Sequence, residues 1–210
     1  MIKLCVFDFD STLMDGETIA FFGQAVGKMD EISAITKRAM AGELDFYESL
    51  KERVKFLKGV EVAKIEQIAH SLPFIKGAEQ IIKYLKEKGI LVAVFSGGFH
   101  IATDHAQSLL GFDINFANEL HSKNGVLSGE VGGEMMFGDS KGKMLKRLKG
   151  LLGLDSKQVA AIGDGANDIS MFKEADTCVA FCANAVLKSA ATHIIDIKDL
   201  TELKKILQAL

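Results

Sequence analysis

The segment Val6-Phe7-Asp8-Phe9-Asp10-Ser11-Thr12-Leu13 sets two aspartates, two residues apart, at the end of an apolar run. Residues i and i+2 of an extended chain share a face. Two carboxylates on one face repel unless a cation or a shared proton lies between them. Such a pair is a poor device for stabilising a fold and a suitable one for holding Mg²⁺ beside a nucleophile.

Three further clusters follow apolar runs or join elements. Phe95-Ser96-Gly97-Gly98 puts a hydroxyl and two glycines between a strand and a helix, where amides bared by glycine at a helix N-terminus suit a phosphate. Ser140-Lys141-Gly142 puts a lysine near a helix start, and Gly163-Asp164-Gly165-Ala166-Asn167-Asp168 adds two carboxylates where the backbone turns on glycine. Taken singly, the serine–glycine turn is a common tight connection and the lysine a common surface charge. The aspartate motifs are more specific, because carboxylates gathered at strand ends repel and their uncompensated burial is costly. A divalent cation, a phosphate and Lys141 together balance that charge.

The clusters need elements that bring them together. Short, nearly continuous apolar runs at residues 3–7, 91–95, 159–162, 178–181 and 194–197 read as strands covered on both faces. Amphipathic helical patterns lie between them. Residues 78–88 carry Ile81, Ile82 and Leu85 on one side and end at Gly89, a C-cap; residues 141–152 carry Met144, Leu145 and Leu148. A last helix starts at Asp199, with Glu202 completing a capping box, and presents Leu200, Leu203, Ile206, Leu207 and Leu210. This alternation predicts an α/β fold: a Rossmann-like three-layer core with a mostly parallel sheet, which binds ligands at the carboxyl ends of its strands.

Two segments break the rhythm. Residues 15–72 show helical patterns and no strand, with Leu50, Val54 and Leu57 on one face and Ile65, Ile68 and Leu72 on another. They read as a small helical cap inserted after the first strand and closed near Pro73, the only proline, which stops a helix. The domains are then 1–14 with 73–210 as the core and 15–72 as the cap. Residues 115–137 read as a β-excursion, with a hairpin turn at Asn124-Gly125 between residues 119–123 and 126–130.

Composition narrows the function. The chain has 210 residues, 48% hydrophobic, enough for one full core plus an insertion. A net charge of −3 without a long basic block gives no electrostatic case for nucleic acid. The apolar runs are too short to span a membrane, and the start of the chain lacks a signal-peptide layout, so a cytoplasmic protein is expected. Cys5, Cys178 and Cys182 read as three buried thiols in strands, and neither they nor the five histidines show zinc-ligand spacing.

In type and order, residues 8–13, residues 96–98, Lys141 and residues 163–168 resemble the four motifs of the haloacid dehalogenase superfamily of phosphohydrolases, and within it the phosphoserine phosphatase branch. The helical insertion is similar to that branch's small cap, and the resemblance runs essentially end to end, with no room for the N-terminal regulatory domain many relatives carry. It implies that Asp8 is a nucleophile forming an aspartyl-phosphate and that Asp10 is the general acid, then base. It implies Mg²⁺ held by Asp8, the backbone carbonyl of Asp10 and Asp164, with Asp168 behind them or at an additional metal position. Lys141 and Ser96 would neutralise the phosphoryl oxygens, with Gly97 and Asn167 adding hydrogen bonds. The dehalogenase branch lacks an aspartate at the position of Asp10, which favours phosphoryl chemistry.

The resemblance also implies a substrate, O-phospho-L-serine, hydrolysed in the last step of serine synthesis. An acid and an arginine at the places of Glu17 and Arg53 would hold its amine and carboxylate, since the guanidinium fork suits a carboxylate. Alone, each reads as an exposed helix charge, Glu17 as a first-turn acid. Met40 and Phe46 resemble apolar residues that close the pocket; both also suit a cap core. The histidines draw no role. Alternatives are a phosphotransferase to an alcohol such as homoserine, a phosphatase for another small phosphate, and, least, a receiver-like domain. A cap on two connections suggests opening and closing over a small-molecule substrate. The expected assembly is a monomer or homodimer.

Overall fold

The computed structural model describes residues 1–40 and 43–209, with the side chain of Met40 outside that description. In chain order the elements are β1 (Leu4–Phe7), α1 (Thr18–Ala25), α2 (Met29–Met40), α3 (Phe46–Lys55), α4 (Val62–Ala69), α5 (Ala78–Glu87), β2 (Leu91–Phe99), α6 (His100–Leu110), β3 (Ile114–Lys123), β4 (Val126–Gly133), α7 (Ser140–Leu152), β5 (Val159–Gly163), α8 (Ile169–Phe172), β6 (Thr177–Phe181), α9 (Ala185–Ala190), β7 (His193–Ile195) and α10 (Leu203–Gln208). They build a seven-stranded sheet in the order β4-β3-β2-β1-β5-β6-β7. Every pairing is parallel except the antiparallel β3–β4 hairpin.

All four side chains of β1 are buried, because helices cover both faces of the sheet. Cys5 and Phe7 join a core shared with Ile81, Ile82 and Leu85 of α5, while Leu4 and Val6 join another with Leu145, Leu148 and Met171. That two-sided burial is why the strand sequence is continuously apolar. The α/β three-layer expectation is met. β1 lies between β2 and β5, so the chain crosses the sheet in both directions from it, and a crevice opens at its carboxyl end.

Residues 15–72 hold α1 to α4. Leu50, Val54 and Ile65 from this segment join the core on the Phe7 face of the sheet. Its two connections run side by side: the Asp15 amide donates to the Pro73 carbonyl and the Ile75 amide to the Leu13 carbonyl, both at 2.8 Å. A third attachment was not legible in the sequence. Gly59 and Val62 donate to Leu127 and Gly125, and Leu127 donates back to Val60, so the segment is stitched to the tip of the β3–β4 hairpin.

Several boundaries differ from the sequence reading. β2 continues through Ser96, Gly97 and Gly98 to Phe99, so these residues are extended strand and not a strand–helix turn. The hairpin is longer than expected at both outer ends. β7 stops at Ile195, and Ile197 is exposed beyond it. Asp199 caps a 3₁₀ turn by accepting from the Thr201 amide, α10 starts only at Leu203, and Glu202 pairs with Lys205 instead of closing a capping box. α4 ends at Ala69, ahead of Pro73. Cys182 is exposed just past β6, at φ 45°, while Cys5 and Cys178 are buried as expected. Leu210 lies outside the described residues.

Candidate active site

β1 delivers Asp8 directly to the crevice: its amide donates to the Ile162 carbonyl of β5 at 2.9 Å. The chain then turns tightly, with the Leu13 and Met14 amides both donating to the Phe9 carbonyl. Ser11 sits at φ 57° inside that turn. The turn brings Asp10 back toward the first residue of α1.

Asp8 is 4% exposed. Its Oδ1 accepts from the Phe9 amide at 2.6 Å and lies 2.6 Å from Lys141 Nζ. Among the described residues nothing donates to its Oδ2. Lys141, in the first turn of α7, also donates to Asp168 Oδ1 at 2.6 Å, and the other oxygen of Asp168 accepts from the Asp164 and Gly165 amides at 3.0 Å. Two glycines permit these approaches. A Cβ on Gly142 would stand 2.3 Å from the Ser170 carbonyl oxygen, and one on Gly163 would stand 2.3 Å from Asp168 Oδ2.

Asp10 turns its Oδ1 to Thr18, accepting from the amide at 2.9 Å and from the hydroxyl. Its Oδ2 faces Gly98, where a Cβ would lie 2.9 Å away. Thr18 is fully buried and absent from the sequence reading; its only signal is a hydroxyl residue opening a helix beside an acid. Ser11 donates to Glu17 Oε1 at 2.9 Å. Glu17 therefore occupies the N-cap position of α1 without capping it, and its carboxylate turns to the pocket.

A cavity of about 160 Å³ collects Asp8, Asp10, Glu17, Arg53, Asp164 and Asn167 on its wall, closed by Phe46, Gly97 and Gly98. Ser96, Lys141 and Asp168 are buried at or below 3% exposure near that wall. Met40, expected at the pocket, has its side chain outside the described residues. Arg53 Nε donates to the Ser49 carbonyl one turn back, which aims the guanidinium along α3.

The electrostatics are strongly strained toward negative charge. Burial first and Asp168 second push the Asp8 carboxyl well above the ordinary range, against the pull of Lys141. Asp164 is pushed up to about 7 by the same two causes. Asp10 is raised by burial, which its bonds from Thr18 counteract. Glu17 is pushed up to about 8 by the surrounding protein and by Asp10, although the mouth of the cavity leaves it exposed and water there moderates the push. Burial would strip the Lys141 proton, but Asp168 and Asp8 outweigh burial and hold the ammonium above its usual value. Burial lowers Arg53, with Glu17 and Asp10 opposing.

A metal fits this donor set. Asp8, Asp164 and Asp168 offer oxygens within 4.8 Å of one another. Three carboxylates against the one ammonium of Lys141 leave a deficit of two positive charges, which a hard divalent cation with oxygen ligands satisfies. Asp10 does not lend its carboxylate to that group.

A family model for haloacid dehalogenase-like hydrolases matches residues 2–176. A phosphoserine phosphatase of Campylobacter jejuni subsp. doylei is 54% identical over 207 residues, 99% of this chain and all of the relative. Two solved structures superpose over 98% of both chains. One is a phospho-aspartyl intermediate analogue of phosphoserine phosphatase (TM-score 0.92, 44% identity), the other a substrate-bound phosphoserine phosphatase complex (TM-score 0.93, 43% identity). With the strand order and the four clusters gathered at one crevice, this chain belongs to the phosphoserine phosphatase family of the haloacid dehalogenase-like hydrolases.

Proposed function

We propose that this chain is a Mg²⁺-dependent phosphatase that hydrolyses O-phospho-L-serine through an aspartyl-phosphate on Asp8. The observation that carries the reading is the joint presence of Glu17 and Arg53 on the wall of the cavity that holds Asp8 and Asp10. One acid and one guanidinium beside a phosphoryl-transfer centre match a substrate with an ammonium and a carboxylate beside its phosphate.

Asp8 reacts as the carboxylate, the form that Lys141 favours and that a bound cation would favour further. Its Oδ2, to which no described residue donates, attacks phosphorus in line, and the bond to the serine oxygen breaks as the bond to Asp8 forms. Asp10, whose burial favours the protonated carboxyl, gives its proton to the leaving oxygen. It then takes a proton from the water that attacks the aspartyl-phosphate, releasing phosphate and restoring both carboxyls. Lys141 has three protons, two directed to Asp8 and Asp168. The third, with the Ser96 hydroxyl, Gly97 and Asn167, neutralises phosphoryl oxygens. Asp8, Asp164 and the Asp10 carbonyl would hold Mg²⁺, which would supply charge neutralisation beside the phosphoryl group. Asp168, with both oxygens engaged, holds Lys141 and the residues 164–165 turn in place. Phosphate monoesters react so slowly in water that about 20 kcal/mol of barrier must be removed, and positioning plus this charge cluster is its source.

In this reading residues 15–72 are a cap over a core of 1–14 and 73–210, and the enzyme supplies serine in the cytoplasm. No described helix is long and apolar enough to cross a membrane. The test is phosphate release from L-phosphoserine, with Mg²⁺ and with EDTA, beside a panel of sugar and alkyl phosphates. A Mg²⁺-dependent preference for phosphoserine is expected; efficient turnover of the others with phosphoserine poor would discard the substrate and keep the chemistry.

A further inference from the structure

Asn118 on β3 is fully buried and lies outside the groups that touch substrate. Its side chain spends every strong hydrogen-bonding direction but one. Oδ1 accepts from the Met135 amide at 2.9 Å, and Nδ2 donates to the Met135 carbonyl at 3.2 Å and to the Gly97 carbonyl at 3.1 Å. A backbone amide only donates and a carbonyl only accepts, so these partners fix which end of the side-chain amide is oxygen. Gly133 leaves the room: a Cβ there would stand 2.7 Å from Asn118 Cα.

The position of Asn118 gives those bonds their meaning. β2 and β3 pair regularly at Phe95 with Phe116 and next at Phe99 with Asn118. β2 thus takes four steps (95 to 99) where β3 takes two (116 to 118), so Ser96, Gly97 and Gly98 lie opposite Ala117 alone, a surplus of two residues. The Asn118 side chain supplies a donor where the ladder lapses. The Gly97 carbonyl that it holds and the Gly98 amide belong to one planar trans peptide, so fixing one end aims the other the opposite way. The Gly98 amide donates to Ser96 Oγ at 2.9 Å. A hydroxyl that accepts in this way has its own proton free to donate elsewhere.

We propose that Asn118 is a positioning residue for the phosphate site: through the Gly97–Gly98 peptide it holds the Ser96 hydroxyl as a preset donor to the phosphoryl group. The inference rests on the reading of Ser96 as a phosphoryl ligand.

The experiment compares Asn118→Leu, Ser96→Ala and the double variant, reading kcat/KM for L-phosphoserine and for p-nitrophenyl phosphate, inhibition by inorganic phosphate, and Tm. Losing one preset donor should cost about tenfold in kcat/KM. The loss should be equal on both substrates, because both present the same phosphoryl group, and the phosphate inhibition constant should rise in step. In the Ser96→Ala background Asn118→Leu should add less than about a twofold loss, as coupled residues do. A full further loss in that background, or an unchanged phosphate inhibition constant, overturns the proposal and leaves Asn118 a packing residue. Wild-type kinetics for Ser96→Ala would overturn the reading of Ser96 itself, and the inference with it. Asn118→Ser is the second variant, in case the leucine does not fold. Hydrogen exchange in the wild-type protein needs no variant: the Gly98 amide should be protected before phosphate is added, and protection that appears only with phosphate would sink the preset arrangement.

Discussion

The tip of the Phe46 ring fills the space beside Gly97 that any side chain there would need: a Cβ on Gly97 would stand 2.8 Å from Phe46 Cζ. The first residue of α3 thus meets the end of β2 through a contact that only glycine permits, directly over the candidate phosphate site. Gly97 has an ordinary backbone conformation, so alanine is opposed by space alone, and only by the tip of a ring.

Gly97→Ala should therefore fold but lose activity. The Phe46 ring is half-buried and can swing aside. Overpacking of this kind costs about 1–3 kcal/mol, and carried by the pocket that is roughly a five- to 150-fold fall in kcat/KM. Phe46→Leu in the same background should restore part of it by shortening the ring. Steady-state kinetics of the three variants decide; a double variant no better than Gly97→Ala would show that the clash is not with Phe46.

Lys141→Met should reveal how much of the site is held against its own charge. The substitution leaves Asp8 and Asp168 buried without their shared ammonium. Breaking a buried pair in this way costs about 3–5 kcal/mol. A carboxyl raised further above its unfolded value costs more stability as pH climbs from the unfolded to the folded value. The variant's urea midpoint should consequently fall more steeply than the wild type's between about pH 5 and pH 8. Added Mg²⁺ should recover part of the loss at high pH. A midpoint that rises with pH in the variant would contradict the charge deficit.

Which acids gather at the crevice was more legible in the sequence than the backbone that positions them. Asp8, Asp10, Asp164 and Asp168 were legible because acids have no apolar reason to end buried strands, and the strands themselves because two covered faces demand unbroken apolar runs. Ser96, Gly97 and Gly98 were misplaced onto a turn, since glycines read as punctuation; the bulge that keeps them extended depends on the facing strand. Thr18 and Asn118 were missed for a related reason. A threonine opening a helix and an asparagine in a hairpin strand are unremarkable until tertiary contacts bury them completely. The stitching of residues 59–62 to the hairpin tip likewise joins segments about which local patterns say nothing.

Gly142 tests whether packing of α7 on α8 sets the position of Lys141. A Cβ there would stand 2.3 Å from the Ser170 carbonyl oxygen, a backbone atom that cannot rotate away, and the Gly142 amide donates to Ser170 Oγ at 3.1 Å. Gly142→Ala should push the helices apart and lower stability by about 1–3 kcal/mol or more. Lys141 moves with the helix, so kcat should fall as well, whereas KM for phosphoserine should change less because Glu17 and Arg53 sit on other elements. Chemical denaturation and kinetics on one preparation check both, and a stable variant with wild-type kcat would show that the helices have slack.

Glu17 should write its own ionisation into the pH profile. Its carboxyl is pushed up to about 8 by surrounding protein and by Asp10, with the Ser11 hydroxyl pulling the other way. Only the carboxylate form can hold an ammonium, so kcat/KM for phosphoserine, which reports the free enzyme, should rise with pH through a limb above the ordinary carboxylate range and, with water at the cavity mouth, below about 8. The substrate's own phosphate ionisation is removed by comparison with p-nitrophenyl phosphate, which has no ammonium and should lack the limb. Glu17→Gln should erase the limb and raise KM for phosphoserine at least about tenfold, the scale of a lost charge-assisted bond. Ser11→Ala should keep the limb and move it upward, because the hydroxyl that donates to Glu17 Oε1 favours the charged form. Parallel limbs on both substrates, or a limb that survives Glu17→Gln, would assign the ionisation to the phosphoryl-transfer carboxylates instead.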